Sequence, residues 1–468
     1  MIIELYYFIV LLVVSFSLQI FPRLKQPGTG IDLYRWLLYS REIRSLNHKL
    51  PVYIDKYIIK EKFSYPFLLL YFMSFLSQNF LEKFNYTIPA FFSILENVII
   101  FNVVYYIMND YLIALIASIV YAATAANIIE NINFSTRSFG QFIFTLSLVA
   151  LYFYHFENYS VIYFILINSI LLISHRMSIQ VLIFVTLFTS ILLNDYIILL
   201  SLFLSVILTL LITKGHYFYI LKGHLVQIYF WYKQLVKNKD KIKLSFKEFI
   251  FSILSRNLFI LLAIYLSVLS PLDKLDTALL FIFIFISIIS IITTFIKPLR
   301  CIGEGYRYIS YTNPLVAIFV AKNLNGDYVL LFLFSVLSLV PALYKQYKLI
   351  SKKLDSNKAF VLTKNIKRFL DDYFLKNKNK EIQFMSYPPN LDDYVAYRYN
   401  NVKVMFHDNG LASFKLSKYM PYPYIKVDYN IFLSTNNIDI LITKFDLNLE
   451  NYFKETIDNF NIYRKKEF

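Results

Sequence analysis

The stretch "YPFLLLYFMSFLSQNF", residues 65–80, decides the topology of this chain. It is apolar but short and begins beside a proline, so it either crosses a membrane or lies along its surface. If it does not cross, all the large polar segments share one face of the membrane. These segments are 22–62, 127–137, 175–176, 214–248 and 297–313. That distribution is typical of an enzyme working at a membrane surface, so we interpret 65–80 as an interfacial segment.

The composition indicates a polytopic membrane protein. Of 468 residues, 57% are hydrophobic and 19% aromatic, and the mean hydropathy is +0.52, which exceeds what a soluble globule carries. Apolar windows lie near 2–21, 88–108, 111–126, 138–156, 160–174, 179–192, 196–213, 249–270, 276–296 and 327–345, with a shorter one near 314–324. They predict a mainly α fold with about 11–13 transmembrane helices. The first window lacks a basic region and a cleavage site, so it is interpreted as a retained helix.

The remaining organisation follows from changes in composition. Residues 1–350 form the predicted membrane domain, with a first large loop at 22–87 and a basic segment at 214–248. The basic segment is either a mobile loop over a site or a basic surface helix. Residues 351–468 predict a small soluble α/β domain, with "EIQFM", "VKVMF" and "IDILITK" as strands and "NLENYFKETIDNF" as a closing helix.

Net charge and cysteine content bear on the binding partners and on disulfide formation. The net charge of +16 favours contact with anionic lipid or phosphate-bearing substrates, although a solvated surface would also explain it. Cys301 is the single cysteine, so no intrachain disulfide can form.

The stretch "GTGIDLYRWLLYSREIRSLNHKLP", Gly28 to Pro51, predicts an interfacial helix in the first loop. One stripe holds apolar residues and the other is cationic, with Arg41, Arg44 and His48. Asp32 lies one turn before Trp36 on the apolar stripe, where an unpaired carboxylate costs free energy unless it has a use. Asp32 is therefore a candidate catalytic residue. The alternative is an N-cap, which Arg35 at the capping-box position disfavours.

Two further polar sites border apolar segments. Glu130 and Arg137 flank the start of a helix, where Glu130 is either a second acid or base or one half of a salt bridge. His175 and Arg176 interrupt an apolar hairpin, as a simple polar turn or as donors to a phosphate. The predicted phosphate-binding residues include Arg137, His175 and Arg176.

The segment "KPLRCIGEGYRYISYTNP", 297–314, is the densest set of charges beside a helix in the membrane half. Arginine forks onto phosphate with two hydrogen bonds, and tyrosine can line a lipid or sugar site. Arg300, Glu304, Arg307 and Tyr308 are therefore candidate substrate-binding residues. Glu304 and Arg307 are three residues apart, so a simple ion pair is the alternative.

The order of these motifs resembles GT-C superfamily glycosyltransferases. That superfamily includes protein O-mannosyltransferases, oligosaccharyltransferase catalytic subunits and lipid A aminoarabinose transferases. The matching motifs are the first-loop Asp32, the basic helix ending in "HKLP", the segment "FSYPFLLLYFMSFLS", an R-x-x-G at Arg137, the hairpin at His175 and "GEGYRYISYTNP". Each motif is short, and their order over most of residues 1–345 is the stronger signal.

The resemblance implies sugar transfer from a polyprenyl-phosphate donor to a glycan, lipid or protein acceptor. It makes Asp32 the base or an acceptor-positioning group and Glu130 a second acidic residue, with Arg300 and Arg307 holding the lipid phosphate. It implies no metal, and the chain has no ligand cluster that requires one. Membrane lipids are expected partners and nucleic acid is not. A transporter or flippase for lipid-linked saccharides, or a polysaccharide polymerase or ligase, remains the alternative, although no inverted repeat is visible.

The membrane side is indicated by two opposing signals. The resemblance implies a multi-pass cell-membrane protein whose active face and C-terminal domain are extracellular. The Lys and Arg distribution favours the cytoplasm for the same face, by the positive-inside rule. The external placement rests on the resemblance alone.

Overall fold

The computed structural model of the protein describes residues 2–20, 24, 32–132, 134–237, 245–350, 363–387, 391–405, 410–412, 415 and 428–466. The membrane half is helical. Its helices are α1 (Ile2–Gln19), α2 (Leu33–Ser45), α3 (Leu68–Ser74), α4 (Gln78–Phe84), α5 (Thr87–Met108), α6 (Tyr111–Ala123), α7 (Ala125–Glu130), α8 (Arg137–Phe156), α9 (Val161–Leu171), α10 (Arg176–Leu192), α11 (Tyr196–Ile212), α12 (His216–Lys237), α13 (Phe246–Leu254), α14 (Phe259–Leu269), α15 (Lys274–Phe295), α16 (Tyr306–Ile309), α17 (Asn313–Asn323) and α18 (Tyr328–Ile350).

Within the described part of the chain, four helices are long and apolar enough to cross a membrane. They are Thr87–Met108, Arg137–Phe156, Lys274–Phe295 and Tyr328–Lys348. Two bent helix pairs raise the number to six if each pair is one span, and four further apolar helices have only 10–17 residues. A helical membrane domain is therefore present, while the predicted count of spans is not confirmed.

The segment 65–80 forms two short helices instead of a span. α3 and α4 have seven residues each, so each is about 10 Å long, against a hydrocarbon core of about 30 Å. Ser77 separates them and caps α4, because its hydroxyl accepts a hydrogen bond from the Phe80 amide at 3.2 Å. Neither helix can cross a bilayer, as the interfacial interpretation requires.

Two predicted elements have sharp bends. The window 249–270 was expected as one helix, but α13 and α14 meet at 88°. α11 turns by 120° into α12, through Lys214 and Gly215, which have φ of 49° and 82°. The basic segment is thus a helix over 216–237, and residues 238–244 lie outside the described residues. Both bends bring polar residues to the end of an apolar helix.

The C-terminal part is a small α/β domain, as predicted. It contains α19 (Lys364–Lys376), α20 (Asp392–Arg398), α21 (Tyr429–Thr435) and strands β1 (Ile382–Tyr387), β2 (Val402–Val404), β3 (Ile440–Thr443), β4 (Tyr452–Ile457) and β5 (Phe460–Lys465). The strand order is β2-β1-β3-β5-β4. β1 is parallel to β2 and β3, whereas β5 is antiparallel to β3 and β4.

The predicted closing helix is wrong. Residues of "NLENYFKETIDNF" form β4 and the tight turn of the β4–β5 hairpin, in which Ile457 pairs with Phe460. The intervening Asp458 has φ of 52°. Asp and Asn tolerate this left-handed conformation, and two-residue hairpin turns require it. The Asp-Asn pair therefore favours a hairpin over a helix.

The first loop extends the edge of this sheet. Tyr57 pairs in parallel with Val404 of β2. The Ile58 amide donates to the Val404 carbonyl at 2.9 Å, and the Val404 amide donates to the Lys56 carbonyl at 2.8 Å. The C-terminal domain is therefore docked onto the first loop by backbone pairing.

Candidate functional site

Glu130, the last residue of α7, lies at the centre of a charged cluster. Arg137 Nη1 is 3.3 Å from Glu130 Oε2, and Arg256 Nη1 is 2.9 Å from Oε1. The Ser310 hydroxyl also donates to Oε1, at 2.7 Å. Burial raises the pKa of this carboxyl, but Arg137, Arg256 and Ser310 outweigh burial, and the pKa falls below its usual value. Glu130 is thus an ionised anchor, and the predicted salt bridge with Arg137 is present.

Arg256 was missed by the sequence analysis. It lies at the bend between α13 and α14, where its carbonyl accepts a hydrogen bond from the Ala126 amide at 2.7 Å. An asparagine chain locks the same bend: Asn257 Nδ2 donates to Asn313 Oδ1 at 2.9 Å, and Asn313 Nδ2 donates to Asn127 Oδ1 at 2.6 Å. The available signal was "SRN" interrupting the apolar window 249–270.

His175 lies beside this cluster, at the start of α10. Its Nδ1 is 3.3 Å from the Ser178 hydroxyl and 3.5 Å from the Tyr311 hydroxyl. Burial, followed by the cationic Arg137, Arg307 and Arg176, holds the pKa of His175 well below its usual value. The ring is therefore neutral. It can share hydrogen bonds but is a weak proton acceptor.

Gly140 of the R-x-x-G motif permits the close approach of α8 to His175. A Cβ added at Gly140 would lie 2.5 Å from His175 Cβ and still closer to the Ser178 hydroxyl. That separation is below contact distance, so any larger residue would push the hairpin away. The spacing between Arg137 and Gly140 therefore places the arginine at the site and the glycine against the histidine.

Arg176 connects the cluster to the first loop. Its guanidinium lies 4.7 Å from the centre of the Tyr65 ring and donates a hydrogen bond to Gln227 of α12. The Tyr65 hydroxyl is 3.1 Å from Thr136 Oγ1, and its ring lies 4.5 Å from Trp36 of α2. Tyr65 therefore joins α2, α8 and α10 at one point.

Arg307 completes the cluster. Its Nη2 is 2.6 Å from Glu304 Oε2, and both side chains are partly exposed, so the predicted ion pair is present. The neighbouring Tyr306 ring lies 4.2 Å from the Arg256 guanidinium. Arg137, Arg176, Arg256 and Arg307 together form what we call the arginine cluster. Three of these guanidiniums pair with two carboxylates, and Arg176 contacts Tyr65 and Gln227, so the cluster keeps a positive charge suited to a phosphate.

Two predicted binding residues lie to one side. Arg300 Nε donates to the Thr294 carbonyl at 2.7 Å, and no contact between Arg300 and Glu130 appears among the described residues. The buried Tyr308 hydroxyl is 3.0 Å from Gln180 Oε1 and 2.9 Å from the Ile302 carbonyl oxygen. Their predicted contact with substrate stays a prediction.

Asp32 has different surroundings. Its carboxylate is 51% exposed and lies 3.2 Å from Arg35 Nη1. The residue precedes α2 in the N-cap position, but its side chain makes no capping hydrogen bond. Protein therefore encloses the side chain only in part, and its carboxylate turns toward the neighbouring Arg35. Its link to the arginine cluster runs through Trp36, whose amide donates to the Asp32 carbonyl at 3.2 Å and whose ring contacts Tyr65.

Comparison with known proteins places the fold. No protein-family model matches this chain, and no curated protein matches it. Among solved structures, the chain is similar to the crystal structure of ArnT from Cupriavidus metallidurans bound to undecaprenyl phosphate, with a TM-score of 0.61 and 12% sequence identity. The similarity covers 98% of this chain and 97% of the ArnT chain. The chain therefore shares the fold of that ArnT structure over nearly its whole length.

Proposed function

We propose that this protein is an integral membrane glycosyltransferase that uses a polyprenyl-phosphate sugar as donor. The arginine cluster carries the proposal, because it gathers four guanidiniums in a fold shared with a protein crystallised with undecaprenyl phosphate. The acceptor is a glycan, lipid or protein. Polyprenyl phosphate and membrane lipids are the partners, and the active face lies outside the cytoplasm.

The arginine cluster would bind the phosphate that leaves with the lipid. Glu130 holds Arg137 and Arg256 at 3.3 and 2.9 Å, so their direction is set before the substrate arrives. Arg137 Nε is buried and makes no hydrogen bond within the described residues, which leaves a donor for a phosphate oxygen. As the glycosyl bond breaks, negative charge grows on that phosphate, and donors already in position stabilise it.

The lipid chain needs an apolar channel next to this cluster. A cavity of about 650 Å³ lies between α1, α3, α4 and α5, within the size range of lipid and ligand sites. Its lining includes Phe16, Phe72 and Phe91. The ring centres of Phe72 and Phe139 are 6.3 Å apart. Phe139 lies two residues after Arg137 in the sequence. The chain of a polyprenyl phosphate would lie in this cavity with its phosphate at the arginine cluster.

Asp32 would take the proton from the acceptor hydroxyl. It is exposed enough to meet an acceptor, and its ion pair with Arg35 leaves carboxylate lone pairs available. Glu130 is less suited to that task, because its buried carboxylate pairs with two arginines and accepts a hydrogen bond from a serine. Since the guanidiniums neutralise the leaving phosphate, this chemistry needs no divalent metal.

Reconstituted vesicles separate this function from lipid-linked sugar transport. Purified protein is placed in proteoliposomes with undecaprenyl-phosphate sugars labelled in the sugar, plus candidate acceptors. A transferase consumes donor and releases undecaprenyl phosphate, and Arg256→Ala should abolish that release. Movement of intact donor across the bilayer with no loss of donor would support the transporter alternative and reject the proposal.

A further inference from the structure

The C-terminal domain supplies a buried carboxylate to the first loop. Asp393, on α20, accepts hydrogen bonds at one oxygen from Arg35 Nε at 2.9 Å and from Nη2 at 2.7 Å. The Tyr57 hydroxyl donates to its other oxygen at 3.2 Å. The Asp393 side chain is only 4% exposed. Both oxygens are therefore occupied by first-loop residues, in a place where a charge requires a partner.

The same guanidinium also contacts Asp32. Its third nitrogen, Nη1, lies 3.2 Å from the Asp32 carboxylate. A guanidinium is planar, so fixing Nε and Nη2 also fixes the direction of Nη1. The Arg35 side chain is 10% exposed, whereas that of Asp32 is 51% exposed. A buried residue of the C-terminal domain thus sets the geometry of the half-exposed carboxylate.

Docking of the two domains does not depend on this contact alone. Tyr57 and Val404 pair through the backbone. Arg41 Nη1 donates to the Tyr397 carbonyl at 2.7 Å, and the Tyr397 hydroxyl donates to Glu82 at 2.5 Å. Removing the charge of Asp393 would therefore leave the C-terminal domain docked while releasing Arg35.

We infer that Asp393 is a positioning residue for the transfer reaction, holding Arg35 so that Asp32 stays open to the acceptor hydroxyl. This inference rests on the proposed function. Without Asp393, the freed guanidinium would turn and pair with Asp32 through two hydrogen bonds. The arginine cluster is made by other residues, so donor binding would remain.

Steady-state kinetics test the inference, because a positioning role should change kcat and leave KM for the donor nearly unchanged. Asp393→Asn is expected to lower kcat by roughly tenfold or more, with KM for the donor changed less than about twofold. Asp393→Glu, which keeps the charge, should restore part of kcat. Tyr397→Phe is the matched control, because it removes hydrogen bonds with Glu82 and Gln78 from the same interface without touching Arg35. Its kcat should stay within about twofold of wild type.

Hydrogen exchange of the full chain gives a second reading that needs no turnover. Amides in the first turn of α2, near residues 33–36, should exchange faster in Asp393→Asn than in wild type or Tyr397→Phe. Unchanged kcat and unchanged exchange in Asp393→Asn would overturn the inference, as would a KM increase that accounts for the whole effect. Faster exchange in a protein that turns over no donor would instead reject the proposed function while supporting the Asp393–Arg35 contact.

Discussion

Glu130 and Asp32 are both carboxylates of the membrane half, but their surroundings differ. Glu130 is 8% exposed and contacts two arginines and a serine hydroxyl. Asp32 is 51% exposed and contacts Arg35. The first arrangement fixes cations in place, whereas the second leaves an oxygen available to a substrate. Exposure and partner number, more than residue type, separate an anchor from a candidate base.

Glu130→Gln should have the largest effect on the protein itself. It leaves Arg137 and Arg256 in a poorly solvated site without their carboxylate, a type of change that costs about 3–5 kcal/mol. We expect a strongly lowered unfolding temperature in detergent and loss of turnover. Glu381→Gln is the control, because the Glu381 side chain is 57% exposed and pairs with Lys403 at 2.7 Å. A Glu130→Gln protein as stable as that control would remove the distinction between anchor and base.

Arg256→Lys should have an intermediate effect, confined to function. Lysine keeps the charge near Glu130 but loses the planar fork and the contact with the Tyr306 ring. Turnover should fall by roughly 10–100-fold, and the loss should appear mainly in donor affinity. Arg368→Lys, on α19 of the C-terminal domain, provides the control. Equal donor affinity in both variants would exclude Arg256 from the phosphate site.

The effect of pH on stability should be smaller and should arise partly from His175. Its folded-state pKa is depressed, so below the ordinary value of 6.5 the unfolded chain binds a proton that the folded protein rejects. Stability should therefore decrease as pH falls below 6.5, with about 1.4 kcal/mol from this residue at pH near 5.5. His175→Asn should lose less stability than wild type between pH 7.5 and 5.5. An equal loss in both proteins would contradict the buried, neutral ring.

Much of the architecture follows from local sequence. Apolar windows predict α5, α8 and α15, and the short length of 65–80, with the polar segments that would share one face, predicts a surface segment. The bends between α11 and α12 and between α13 and α14 are less visible, because interrupted apolar runs also fit straight spans. The β4–β5 hairpin depends on the turn at Asp458. In the sequence, this turn is a weaker signal than the surrounding helix-like pattern of polar residues.

The site was only partly predictable for a related reason. Glu130, Arg137, His175 and Arg307 each stand out as polar residues beside an apolar segment. Their assembly depends on how the intervening helices pack together. Arg256 depends on a tertiary bend, and the contact between Arg35 and Asp393 joins residues from opposite ends of the chain. No local pattern encodes such a pair.

Release of undecaprenyl phosphate from a panel of undecaprenyl-phosphate sugars tests the central claim most directly. The assay compares purified wild type with Asp32→Asn, and binding of undecaprenyl phosphate is measured on the same samples. We predict release from at least one donor by wild type, a loss of about 10²–10⁴-fold in Asp32→Asn, and equal lipid binding by both. Equal release by both proteins, or no release from any donor, would contradict the account.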